Sequence, residues 1–92
     1  MGKITIIFYG ALAKITKEKA TTVEALTLKE AISTLAAKYG DSFKDKLFDE
    51  KGKLTRFVNI YVNGKDIRFL NYLDTELKDK DGVSIIPAVG GG

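Results

Sequence analysis

One strongly patterned helix constrains this chain more than any other feature. Thr27 is a residue type that caps helix N-termini, and Glu30 three positions later completes a capping box. Gly40 follows the helical pattern at the point where a left-handed C-terminal cap is expected. Between them the apolar residues form one stripe at helical spacing: Leu28, Ala31, Ile32, Leu35, Ala36 and Tyr39. An amphipathic helix of this kind needs an apolar layer to pack against.

The remaining segments have the composition of β-strands. Four are rich in β-branched and aromatic residues: residues 3–9, 20–25, 57–62 and 83–87. The first ends at Gly10, and with the second it predicts an N-terminal hairpin. Asn63-Gly64 follows the third and is typical of a two-residue hairpin turn, and Asp81-Gly82 precedes the last.

The connector after the helix has a weaker pattern. Phe43, Leu47 and Phe48 indicate a short helical turn, and residues 49–53 form a polar loop. The predicted order is β-β-α, a connector, and two or three further strands. This order favours an α+β fold in which one main helix packs on one face of a sheet.

Composition excludes several classes of site. The 92 residues contain no cysteine and no histidine. A disulfide framework, a cysteine nucleophile, a Ser-His-Asp triad and a histidine-ligated metal are therefore excluded. The net charge of +3 comes from lysines scattered among acids, which indicates a solvated surface rather than a nucleic-acid footprint. No apolar run approaches the roughly 20 residues of a membrane span, and a cytoplasmic protein is expected.

The C-terminal end is the unusual feature of the sequence. Residues 83–92 carry no charged side chain and close with three glycines. Because glycine has no Cβ, such a backbone fits a channel too narrow for other residues, and its carboxylate is open to attack. Pro87 marks the point where the last strand can stop. The alternative is a functionless or frayed terminus.

The strand–helix order, the turn at Asp81-Gly82 and the ending Pro87-Ala88-Val89-Gly90-Gly91-Gly92 resemble the ubiquitin-like sulfur carriers of the MoaD/ThiS kind. The chain length and the connector at 41–56 are most similar to the archaeal-type MoaD proteins, the small subunits of molybdopterin synthase. The resemblance implies a ubiquitin-like β-grasp over residues 1–92. In that fold a mixed sheet of four to five strands carries the helix, and a flexible tail follows at residues 90–92.

The resemblance also implies a mechanism and partners. A ubiquitin-activating-enzyme-like adenylyltransferase would use ATP and Mg²⁺ to adenylate Gly92, and sulfur would then replace the adenylate as a thiocarboxylate. The chain itself would bind no cofactor and no metal. The large subunit of molybdopterin synthase would accept the chain end, and sulfur would pass to a pyranopterin precursor of the molybdenum or tungsten cofactor. Gly91 and Gly92 match the diglycine of such carriers, and four residues would line the mouth of the partner's channel: Pro87, Ala88, Val89 and Gly90.

Strand alternation predicts a surface for these partners. The side chains expected to face the helix are Ile4, Ile6, Phe8, Val58, Ile60, Val62, Val83 and Ile85. The opposite sheet face would then present Ile7, Phe57, Tyr61 and Ile86. An apolar patch of that size is typical of an interface, unless the connector at 41–56 covers it.

Three other functions remain open at this point. A thiamine-type carrier would use the same chemistry. A ubiquitin-like protein modifier would pass the activated carboxylate to a lysine amine. A passive interaction domain or weak RNA binder would use neither Gly91 nor Gly92. The affinity of such a binder for RNA would fall steeply as the salt concentration rises.

Overall fold

Five strands and three α-helices make up residues 2–87, the part of the chain that this computed structural model describes. The elements follow one another as β1 (Gly2–Phe8), α1 (Ala11–Thr16), β2 (Ala20–Ala25), α2 (Leu28–Tyr39), α3 (Asp41–Leu47), β3 (Val58–Val62), β4 (Lys65–Asp66) and β5 (Gly82–Pro87). Two 3-10 turns, Ile67–Phe69 and Tyr72–Asp74, lie between β4 and β5.

The strands form one mixed sheet in the order β2-β1-β5-β3-β4. β1 runs antiparallel to β2 and parallel to β5, and β5 runs antiparallel to β3. The last strand of the chain is therefore inserted at the centre of the sheet. This arrangement confirms the ubiquitin-like β-grasp that the sequence resemblance implied.

The capping box of α2 is present with one change of partner. The Thr27 hydroxyl accepts a hydrogen bond from the backbone N–H of Glu30 at 3.2 Å. The Glu30 carboxylate accepts from the N–H of Leu26 at 3.1 Å, one residue earlier than a reciprocal box requires. Gly40 has the expected positive φ of 83°, but its ψ of −163° lies outside the left-handed helical region. The prediction of a left-handed C-terminal cap at Gly40 is therefore wrong. The chain instead turns at Gly40 directly into α3.

The core lies between the sheet and the helices, on the face that strand alternation predicts. All eight side chains expected to face the helix are buried. On α3, Phe43 and Leu47 are fully buried, and the Phe43 ring lies 5.9 Å from that of Phe8. The connector after α2 is therefore more helical than the single turn expected. It packs on the helix side of the sheet and not on the opposite face.

The N-terminal strands pair as predicted, but their connection differs from a plain hairpin. β1 and β2 are antiparallel, with Gly2 opposite Ala25 and Ile7 opposite Ala20. The helix α1 joins them, and its Leu12 is fully buried. The Asn63-Gly64 turn is confirmed, with φ values of 51° and 84°. Within residues 2–87 no helix combines the length and the hydropathy that a membrane crossing requires.

Candidate functional site: the end of the central strand

The described chain ends on β5, the central strand of the sheet. Pro87, its last residue, lies opposite Val58 of β3. On the other side, the N–H of Tyr9 donates to the carbonyl of Ile85 at 3.2 Å. In a parallel ladder residue 87 would return a bond to the carbonyl of Tyr9, but proline has no N–H to donate. Pairing with β1 therefore stops short of Pro87, the last described residue of the central strand.

A glycine lies against this strand end. Gly10 has φ 56° and ψ −131°, a conformation that L side chains rarely adopt. A Cβ at Gly10 would lie 3.4 Å from Cγ of Pro87, which is a tight contact. The turn from β1 into α1 can therefore pass close to Pro87. Ala11, Phe57 and Val58 lie around the same residue and line one groove with it.

The structure brings together three of the four side chains that were predicted to form the partner surface on the open face of the sheet. Ile7 and Tyr61 lie opposite Ser84 from its two sides, and Ile86 is two residues further along β5. All three are half-buried. Phe57 precedes β3, is 50% exposed and lies near Pro87 rather than within this group.

Sequence reasoning missed two residues at this end. Tyr9 is 43% exposed and follows Ile7 by the alternation that defines the open face. Strand alternation therefore also predicts Tyr9 on the open face, but the predicted partner surface includes only Ile7 from this segment. In the sequence Gly10 indicates only the end of a strand, because its close approach to Pro87 depends on the insertion of β5 beside β1.

The remaining predicted site residues lie outside the described part of the chain. They are Ala88, Val89, Gly90, Gly91 and Gly92. The structure therefore describes the strand end from which these residues start.

The perturbed acid–base groups lie in two pairs, both away from the Pro87 groove. Burial raises the pKa of Tyr39, whose hydroxyl also donates to Glu18, and this bond lowers the pKa of the Glu18 carboxyl. The bidentate hydrogen bonds from Arg68 lower the pKa of Asp66. Gly10, Ala11, Phe57 and Val58 lie around Pro87 and carry no ionisable side chain, while the charged residues of the same groove are Asp45, Lys46, Asp49 and Glu50. Such surroundings can position a chain end.

Comparison with known proteins adds a family to this geometry. Residues 6–92 match the ThiS family. The sulfur carrier protein CysO of Mycobacterium tuberculosis is 46% identical over 77 residues, which cover 82% of each chain.

Two solved structures have the same fold over nearly the whole chain. A chain of the BexX/CysO complex of Amycolatopsis orientalis superposes with a TM-score of 0.84 at 37% identity, covering 97% of this chain and 99% of that chain. The small archaeal modifier protein 1 of Methanosarcina acetivorans superposes with a TM-score of 0.87 at 30% identity, covering 100% of this chain and 98% of that chain.

Proposed function

The chain belongs to the ThiS family and is a ubiquitin-like sulfur carrier, and we propose that Gly92 carries the sulfur as a C-terminal thiocarboxylate. The observation that carries this proposal is the end of β5 at Pro87, in the middle of the sheet. Five residues without a charged side chain follow, and the family match continues through the last of them.

The proposed chemistry has two steps, both carried out by partners. A carboxylate oxygen of Gly92 attacks the α-phosphorus of ATP, and pyrophosphate leaves from a complex that uses Mg²⁺. A sulfide-equivalent nucleophile then attacks the acyl carbon and AMP leaves, so that a C–S bond replaces the C–O bond to the adenylate. The chain supplies an unhindered acyl group, because glycine has no Cβ to shield the carbonyl carbon. Residues 88–92 can extend at most about 17 Å, which is enough to place Gly92 inside another protein.

Two surfaces would hold the partners. The open-face residues Ile7, Tyr61 and Ile86 provide an apolar surface beside the strand from which the chain end starts. Phe57 adds an exposed ring next to Pro87. We assign these four residues to binding of the ubiquitin-activating-enzyme-like adenylyltransferase, and residues 87–90 to the mouth of its channel.

Intact mass spectrometry tests the proposal. The chain is incubated with ATP, Mg²⁺, a sulfide donor and the adenylyltransferase of its source organism. The expected product gains the mass difference between sulfur and oxygen, and fragmentation places that gain on Gly92. A chain lacking Gly92 and a chain extended by one alanine after Gly92 are matched controls, because both leave residues 2–87 intact. A wild-type chain that shows no gain, while a known carrier incubated with the same adenylyltransferase and reagents does, would contradict the proposal.

The destination of the sulfur has two candidates. The ending at residues 87–92 resembles the small subunit of molybdopterin synthase, so the large subunit of that enzyme is the first partner to test. A thiocarboxylated chain should then transfer sulfur to a pyranopterin precursor in the presence of that subunit. The likeness to a small archaeal modifier protein favours a protein modifier as the second candidate. That role predicts higher-mass conjugates on lysine that vanish when Gly92 is deleted.

A further inference from the structure

We propose that a groove beside Pro87 receives a basic and apolar segment of the enzyme that activates the carboxylate of Gly92, a partner whose involvement rests on the proposed function. The groove has a volume of about 820 Å³ and lies between α3, the loop that follows it and the end of β5. That volume is within the roughly 300–1,000 Å³ of ordinary ligand-binding clefts.

The floor of the groove is apolar. Phe48, Phe57, Val58 and Pro87 line it, and Ala11 at the start of α1 closes one side. Phe57 is 50% exposed there and adds an accessible ring to the other apolar side chains of the floor. An apolar surface next to the chain end that reacts is a surface that an enclosing partner would cover.

The rim of the groove is acidic in a chain whose net charge is +3. Asp45, Asp49 and Glu50 line it, with Lys46 as the one basic residue among its lining. Within residues 2–87, the side chains of Asp45 and Glu50 take part in no ion pair and no hydrogen bond. Both carboxylates are exposed and can pair with a cation that the partner brings.

Asp49 has a different role, because it fixes the shape of the rim. One oxygen of its carboxylate accepts from the N–H groups of Lys51 and Lys53, at 2.9 and 3.0 Å. A bridge between Phe48 and Leu54 closes the same loop. The rim is therefore an ordered hairpin that holds Glu50 beside the groove before a partner arrives.

The position of the groove identifies the partner. It ends at Pro87, and residues 88–92 reach at most about 17 Å beyond that point. An enzyme that holds the carboxylate of Gly92 in its active site must approach the domain to within that distance. An enzyme that contacts the open face and also extends past Pro87 covers the groove, where an arginine or lysine next to an aliphatic side chain would match the rim and the floor. Charge complementarity of this kind mainly raises association rates and selectivity.

The test compares two double charge reversals with equal change in net charge. D45K/E50K alters the groove, and D74K/E76K alters exposed carboxylates outside its lining. The readout is ATP–pyrophosphate exchange by the source organism's adenylyltransferase at varied carrier concentration. We expect the groove variant to raise KM by about tenfold or more and to leave kcat unchanged, since rim charges act mainly on association. The control should stay within about twofold of the wild-type chain.

A third variant probes the groove without removing a carboxylate. A11R places a guanidinium beside the acidic rim and occupies the position proposed for the partner's cation, and it should raise KM in the same direction. Ala11 is exposed, and arginine is a good helix former, so the fold should tolerate the change. Circular dichroism of each variant checks that tolerance.

Three different results would overturn the proposal. If the wild-type chain supports exchange but D45K/E50K and D74K/E76K give the same KM, the groove is not a docking site while the carrier function stands. If the wild-type chain supports no exchange, the carrier function and the stated partner fall together. A groove variant that alters only self-association would also contradict the proposal, because a second copy would then be the occupant.

Discussion

The two ends of β5 differ in how the protein holds them. At the first end, Asp81 and Asn63 form a polar network. The Asn63 amide donates to Asp81 at 2.9 Å and accepts from the N–H of Gly82 at 2.8 Å. The other oxygen of Asp81 accepts from the N–H of Lys78 at 2.8 Å, and its carbonyl accepts from the N–H of Thr5 at 3.0 Å.

The second end has few such bonds. The ladder with β1 finishes at the 3.2 Å bond between Tyr9 and Ile85, and Pro87 donates nothing. Apolar side chains and an open groove surround Pro87 instead. The difference shows how one strand can serve both stability and function. It is anchored by side-chain hydrogen bonds at the turn before Gly82. At Pro87, which we call its free end, it still pairs with Val58 of β3 but makes no further bond to β1.

The largest loss of stability is expected in the middle of β5, between its two ends. Ile85 is fully buried, and I85A should lower the free energy of unfolding by about 2–5 kcal/mol. Ile86 is half-buried on the open face, so I86A should cost about 1 kcal/mol or less. Urea denaturation of the two variants makes the comparison. Equal losses would contradict the assignment of the two faces of β5.

The next largest loss of stability is expected at the start of β5, where Asn63 and Asp81 hold the strand. N63A removes the bonds to Asp81 and Gly82 and places alanine at a φ of 51°. We expect a loss of about 1–3 kcal/mol in the free energy of unfolding. N59A is the matched control, since Asn59 lies in regular β3 at an extended position, and it should cost less than about 1 kcal/mol. A stability equal to that of the wild-type chain in N63A would show that the network does not anchor the strand.

Sequence reasoning succeeded where the signal is local. The capping residues of α2, the Asn63-Gly64 turn and the alternation along β1 depend on neighbouring positions, and each was located correctly. The same alternation assigns Ile7, Tyr61 and Ile86 to one face of the sheet without requiring the order of the strands. The helix α1 was not predicted, because six residues are too few to show a recognisable apolar stripe at helical spacing.

The surroundings of Pro87 could not be predicted in this way. The groove combines residues from α1, from α3 and its loop, and from the chain near β3 and β5. Their proximity follows from the insertion of β5 between β1 and β3 and from the packing of Phe43 on Phe8. Connectors vary in path even where strands are regular, so the side of the sheet taken by residues 41–56 had to be observed.

Substitution of Pro87, at the free end of β5, should change the free energy of unfolding less than substitution of Asn63 at the other end. P87A supplies an N–H that can bond to the carbonyl of Tyr9 and extend the β1 ladder by one residue. We expect the free energy of unfolding to change by less than about 1 kcal/mol, because the gained bond offsets the larger backbone freedom of the unfolded chain. Hydrogen exchange at the new amide measures the extension. Exchange at the rate of an unstructured peptide would show that the missing N–H is not what ends the ladder.

The smallest effect concerns the aromatic side chains beneath the free end. The Tyr39 ring packs edge-on against Phe8 with centroids 5.6 Å apart, and Phe8 lies opposite Ile85. Burial raises the pKa of Tyr39 above its usual value of 10.0, and the Glu18 bond adds to that shift. The folded state therefore favours the protonated phenol. Its stabilising contribution is complete below about pH 10 and is lost as the pH rises through the raised pKa.

The Y39F variant isolates this contribution, because it keeps the ring and removes the hydroxyl. We expect it to cost about 0.5 kcal/mol near neutral pH, since the bond to Glu18 is exposed to solvent. The stability difference between Y39F and the wild-type chain should then shrink above pH 10. A difference that stays constant from neutral pH to well above the raised pKa would show that the phenol does not titrate with unfolding.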